Sequence, residues 1–259
     1  MRFGICAGST DKETLGYIKS LGYDYIEGNF GNVQGMDESA LREYISVTRD
    51  LDIAVESYCI FLKGDFRVVG PNTNHGDICE YAKIGFEKAA RLGGKTVVFG
   101  SGGARRYPEG FPRDKARDQF AECLRMCGDI ASQYDISIVI EPLNNTETNL
   151  VNTVAEGVDI CKYTAHKSVW LLADFYHIFR SGETLDALEN NGGLLRHVHL
   201  ARANNDRGQP TEADKETCLV WADALKKCGY DGRMSLESAH IPDFKTAAKD
   251  AIKAFEWFK

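Results

Sequence analysis

The feature that most constrains this chain is an alternation of short apolar runs with amphipathic stretches, repeated eight times from end to end. Short apolar runs bounded by turn residues read as buried strands, and longer amphipathic segments read as helices. The candidate strands are Phe3–Ala7, Tyr25–Gly28, Ile53–Cys59, Thr96–Gly100, Ser137–Glu141, Val169–Asp174, His197–Ala201 and Met234–Glu237. Helical patterns fill the gaps at Thr10–Leu21, Asp37–Leu51, Asp77–Leu92, Pro112–Tyr134, Val151–Thr164, Thr184–Asn190, Thr211–Cys228 and Asp243–Lys259. Gly22, Gly93-Gly94 and Gly229 fall just past helix ends, where a left-handed cap is needed. Strict alternation implies a parallel sheet, and eight units favour closure into a (β/α)₈ barrel. The 259 residues match the ~250 typical of such a barrel. A single α/β domain spanning 1–259 is therefore expected. An open, doubly wound sheet is the alternative, but no G-x-G-x-x-G follows the first strand.

Charge and cysteine content narrow the function classes. The net charge of −7 is spread along the chain and disfavours a nucleic-acid binder, which needs a basic face. No run approaches the ~18 apolar residues of a membrane span, so no membrane association is expected. The opening Met1–Cys6 is too short in apolar length for a signal peptide, and a cytoplasmic location follows as the expectation. None of the eight cysteines forms a C-x-x-C pair. They read as free thiols used as small hydrophobes, and a structural zinc site built from them is not expected. Asn144-Asn145-Thr146 has the form of a glycosylation acceptor, with no secretory signal to support it. The long stretches Ile60–Asn74 and Ser101–Phe111 follow strands and are candidate walls of a site at the barrel mouth.

The chemistry gathers at the C-terminal ends of the last four strands. The fifth ends in Glu141, the sixth in Asp174, the seventh carries His197 and His199, and the eighth ends in Glu237. A carboxylate ending a buried apolar strand is costly unless it is paired, metal-bound or functional. Two glutamates, one aspartate and one imidazole form an oxygen-rich set that suits Mn²⁺, Mg²⁺ or Co²⁺ better than a structural zinc. His199, nearer the strand end, is the expected ligand. His197 shares its face and is left open between a supporting contact and a satisfied core histidine. His177, three residues past Asp174, is expected on a loop, where a neutral imidazole could donate to a substrate oxygen. Glu56 could line the pocket floor or pair with a lysine, and Arg105-Arg106 reads as a solvated loop or a phosphate contact.

These motifs resemble those of the xylose-isomerase-like TIM barrel superfamily, and most closely its D-tagatose 3-epimerase-like branch. Glu141-Pro-Leu-Asn144-Asn-Thr-Glu147-Thr-Asn149 is similar to that branch's E-P-L-N-x-x-E-T-N. Asp174-Phe-Tyr-His177 resembles its D-x-x-H, His197-Val-His199 its H-x-H, and Met234-Ser-Leu-Glu237 its last strand. The resemblance implies a ketose 3-epimerase or sugar isomerase acting through a metal-bound enediolate. It implies one divalent ion, manganese first and Mg²⁺, Co²⁺ or Zn²⁺ as alternatives, on Glu141, Asp174, His199 and Glu237. Glu141 and Glu237 would double as the acid/base pair. Glu147, His177 and an arginine would hold the sugar or sugar phosphate. The family places that arginine where this chain has Asn205, so Arg207, two residues on, is the first candidate and Arg202 the second. A homodimer or tetramer is the family-level expectation.

Three other readings share these residues. The enediolate could instead expel a β-hydroxyl, giving a keto-sugar or keto-inositol dehydratase. An apurinic-site endonuclease would need more histidine ligands and a basic groove. A non-catalytic sugar-binding barrel would leave the acid/base pair without purpose.

Overall fold

The computed structural model describes residues 1–259. Eight strands, β1 Arg2–Cys6, β2 Tyr25–Asn29, β3 Ala54–Cys59, β4 Thr96–Phe99, β5 Ser137–Ile140, β6 Val169–Asp174, β7 Leu195–Leu200 and β8 Arg233–Leu236, form one closed parallel barrel in sequence order. β1 pairs with both β2 and β8, which removes every sheet edge. The helices α1 Lys12–Ser20, α2 Phe30–Gly35, α3 Glu38–Asp50, α4 His75–Arg91 and α5 Arg113–Ala131 cover the first half. The second half carries α6 Val154–Thr164, α7 Phe175–Ser181, α8 Asp186–Glu189, α9 Lys215–Lys227 and α10 Phe244–Ala254.

All eight expected strands form, with ends displaced by a residue or two. Gly22, Gly93 and Gly229 adopt positive φ, as the caps require. Two helices were not expected. Asn29 caps α2 and Asp174 caps α7, each through its side chain, and both follow their strands with no intervening loop. Their brevity hides any helical periodicity, since six or seven residues span under two turns.

Because side chains alternate across a strand, positions two apart share the barrel interior. At its floor Glu56, the extra residue where the β2–β3 register shifts, accepts from Arg2 at 2.5 Å and from Arg233 at 2.6 Å. This pairing corrects the expectation that Glu56 meets a lysine or lines the site. It lies at the opposite face, beside a recess of about 800 Å³, where a barrel is built for stability. A small apolar layer follows, made of Val98, Val139 and Leu172. Tyr25, Ser57, His197 and Ser235 then form a buried polar layer, with the Tyr25 and Ser235 hydroxyls 2.8 Å apart. The larger core lies outside the sheet, under the helices.

Phe30, the first residue of α2, is fully buried and meets the rings of Tyr58, Phe61, Tyr81 and Phe86. Phe30→Ala is expected to cost about 3–5 kcal/mol in urea unfolding, the range for emptying a packed aromatic site. A loss below ~1 kcal/mol would show that this cluster does not anchor α2 and α4 to the barrel.

Candidate functional site

One step of two residues beyond the inner layer brings Glu141, Asp174, His199 and Glu237 to the mouth. Asp174 and His199 are direct register partners, and Glu237 lies two residues past Ser235, the partner of His199 on β8. One donor atom from each of the four falls within 4.8 Å of all the others. His199 Nδ1 lies 3.1 Å from Glu141 Oε1 and 3.1 Å from Glu237 Oε2. Gly100 makes this approach possible, because a Cβ there would stand 2.3 Å from Glu141 Oε2.

Glu27 on β2 was not singled out in the sequence, yet it holds the site from beneath. It is fully buried and accepts from His197 Nε2 at 2.7 Å and from His199 Nε2 at 2.9 Å. Burial works against its charge, but the two imidazoles outweigh burial and keep the carboxyl well below its usual pKa. With a proton fixed on Nε2, His199 presents Nδ1 to the three mouth carboxylates. His197 therefore supports the site, and burial lowers its pKa. Only its strand position, two residues from a candidate ligand, could have pointed to this role. Glu27 sits in a short strand with no motif around it, so nothing flagged it.

The electrostatics set the two glutamates apart. Burial, followed by repulsion from Glu237, raises the pKa of Glu141. Burial also opposes the charge on Glu237, but His199 and Arg207 overcome it and hold that carboxyl at about 2. Burial opposes a charge on His199 too, yet Glu237 and Glu27 prevail and raise its pKa well above the ordinary value. The carboxylates thus pull positive charge to the point where their oxygens meet Nδ1. Three oxygens and one imidazole nitrogen at that spacing could hold a divalent cation, so the donor set fits one.

Arg207 rather than Arg202 reaches the site. Its guanidinium donates to Asp174 at 2.8 Å and to Glu237, and lies 4.9 Å from the centre of the Tyr176 ring. Arg202 is instead paired with Asp206. His177 stands on α7 and not on a loop, because Asp174 caps a helix at once. Its Nδ1 accepts from the Asn144 backbone N–H at 3.2 Å, which places its proton on Nε2. Nε2 is buried without a hydrogen-bond partner, as is Arg207 Nε. Asn144 Nδ2 donates to Glu147 at 2.9 Å and places that carboxylate 4.0 Å from His177. Asn144 is itself buried, so its acceptor-like motif is internal.

Together Glu141, Glu147, His177, Arg207 and Glu237 line a cavity of about 220 Å³. Cys59, Ile60, Leu62 and Gly100–Gly102 close its other side, so the near ends of both long loops do form walls. Arg105 corrects the solvated-loop reading: it is fully buried and donates to the Glu141 carbonyl at 2.5 Å. Arg106 is exposed and donates to the Thr146 carbonyl.

A closed parallel barrel with convergent carboxylates and an imidazole at its C-terminal mouth is the architecture of a (β/α)₈ enzyme site. The chain belongs to the xylose isomerase-like TIM barrel family, which matches residues 15–259. It is 27% identical over 251 residues to a 3-dehydro-D-guloside 4-epimerase of Escherichia coli K12, covering 94% of this chain and 90% of the relative. It is 25% identical over 230 residues to a D-psicose 3-epimerase of Agrobacterium fabrum C58, covering 85% of this chain and 76% of the relative. In fold it is similar to the solved structure of the IolI protein with a bound zinc atom. There the TM-score is 0.73 at 19% identity, over 100% of this chain and 98% of the other. No helix is long and apolar enough to cross a membrane.

Substituting Glu27→Gln removes the acceptor charge that fixes both histidines. Divalent-cation affinity, read by calorimetric titration with Mn²⁺, is expected to fall about 10–100-fold. Unchanged affinity in a folded variant would show that Glu27 does not orient His199.

Proposed function

We propose that this chain is a divalent-cation-dependent sugar epimerase or isomerase that moves a proton at the carbon beside a ketone, with ketose 3-epimerisation the first expectation. The observation that carries this reading is the pair Glu141 and Glu237. They approach one nitrogen, His199 Nδ1, from β5 and β8 at 3.1 Å each. Two carboxyls that reach one point from separate strands suit one to accept a proton and the other to give one. The relatives' names support the same chemistry. A 3-dehydro sugar inverted at carbon 4 and a ketose inverted at carbon 3 both react beside a carbonyl.

Glu141, Asp174, His199 and Glu237 would hold the cation, manganese first and magnesium, cobalt or zinc as alternatives. When bound, such an ion supplies Lewis acidity toward the carbonyl and its neighbouring hydroxyl. The remaining work falls to the chain. Glu237 takes the carbon-bound proton from one face of the sugar. Glu141 returns a proton to the opposite face, and the roles exchange in the reverse direction. His177 donates from Nε2 and Arg207 from its guanidinium to the substrate oxygens that gain charge. His177 Nε2 and Arg207 Nε each lack a hydrogen-bond partner, and both residues line the cavity. Glu147, held by Asn144, accepts from a sugar hydroxyl.

The test is isotope exchange in heavy water. With Mn²⁺ the protein is expected to interconvert at least one epimeric pair in a panel of free ketoses, ketose phosphates and 3-keto glycosides, with deuterium entering beside the carbonyl. Absence of exchange across that panel would remove the reading. Glu141→Gln and Glu237→Gln are each expected to lower turnover about 10²–10⁴-fold, as loss of a positioned acid or base does. Chelation should abolish turnover and added Mn²⁺ restore it.

A further inference from the structure

We propose that Cys6, Cys59 and Glu237 form a second cation site at the barrel mouth, selective for thiophilic divalent ions such as zinc or cadmium. Cys6 ends β1 and Cys59 ends β3, so both thiols reach the layer that carries the carboxylates. Cys6 is the direct register partner of Glu27, and Cys59 that of Asn29. One donor atom from each of Cys6, Cys59 and Glu237 lies within 4.8 Å of the other two. Zn–S bonds of about 2.3 Å and Zn–O bonds of about 2.0 Å bring such donors together with small side-chain adjustments.

These two thiols differ from the remaining six. Cys79, Cys123, Cys127, Cys161 and Cys218 sit in helices and Cys228 at a helix end, and of these Cys127 hydrogen-bonds to Cys79 and Cys123. Cys6 and Cys59 instead face carboxylates. A divalent ion placed between them would offset the charge of two thiolates set beside a carboxylate.

The alternative of a disulfide fails on geometry. β1 and β3 are separated by β2, so the two backbones stand about two strand spacings of ~4.8 Å apart. A disulfide needs Cα atoms within ~7 Å. A bridging ion spans the longer gap. Its binding is not a redox step: one divalent ion replaces two thiol protons, which leave to solvent, and forms two metal–sulfur bonds and one bond to the Glu237 carboxylate. With three protein donors the fourth position stays open, unlike a closed structural zinc site. Glu237 belongs to both donor sets, so filling the thiol site draws it from the oxygen set. That consequence rests on the proposed catalytic role of Glu237, and the site itself does not.

The experiment uses the full chain, reduced, anaerobic and saturated with Mn²⁺, titrated with cadmium chloride. One equivalent of cadmium is expected to bind with a thiolate-to-cadmium ultraviolet band and the release of about two protons in weak buffer, as ligand deprotonation requires. Cys6→Ser should lose that band and the proton release while still binding Mn²⁺, read by electron paramagnetic resonance. Cys59→Ser provides the independent second variant. No band in the wild-type chain, or a band undiminished in both folded variants, would overturn the site, the latter by placing cadmium on the helix thiols. Neither readout involves sugar turnover, so a chain that epimerises nothing can still pass or fail this test.

Discussion

The interaction on which the mouth of this barrel depends is a single carboxylate, Glu27, accepting from two imidazoles in a space that water does not reach. A buried charge without partners is costly, and here two ring N–H groups supply the compensation. The bond also fixes a proton position. His199 can turn neither its ring nor its tautomer without losing Glu27, so its other nitrogen must face Glu141 and Glu237. The order of the polar layer beneath sets the order of the donors above.

The remaining side chains are arranged around that constraint. Arg207 pairs with both Asp174 and Glu237 and ties the two strand ends together. Asn144 joins His177 and Glu147 into one unit, so two residues on different segments present their polar atoms together. Arg105 underlies this rim from within, bonded to the carbonyl of Glu141 and packed on Phe120 at 5.7 Å. Gly100 leaves the gap that the Glu141 carboxylate fills. Each device is a contact between neighbouring strand ends, the places where a closed parallel barrel gathers residues distant in sequence.

Much of this was legible in the chain. The eight strands announced themselves because parallel strands covered on both faces are almost wholly apolar, and a polar residue ending such a run stands out. Glu141, Asp174, His199 and Glu237 were visible for that reason. The short helices α2 and α7 were not, because capping residues at the ends of strands start them before any periodicity can build. His177 consequently moved from an expected loop to a helix. Glu27 escaped notice because a lone glutamate in a five-residue strand gives no sign of which face it occupies or what faces it.

By itself the sequence determined the barrel, through apolar runs at regular spacing, and the carboxylates and imidazole at its late strand ends. Local pattern suffices there, since burial on both faces and the two-residue period act along the chain. Tertiary structure alone decided which arginine enters the site, that Arg105 is buried, that Glu56 pairs at the floor, and that Glu27 locks two histidines. These outcomes turn on the curvature and register of a closed sheet, which place side chains 170 residues apart within hydrogen-bonding distance. No pattern along a single strand encodes that meeting.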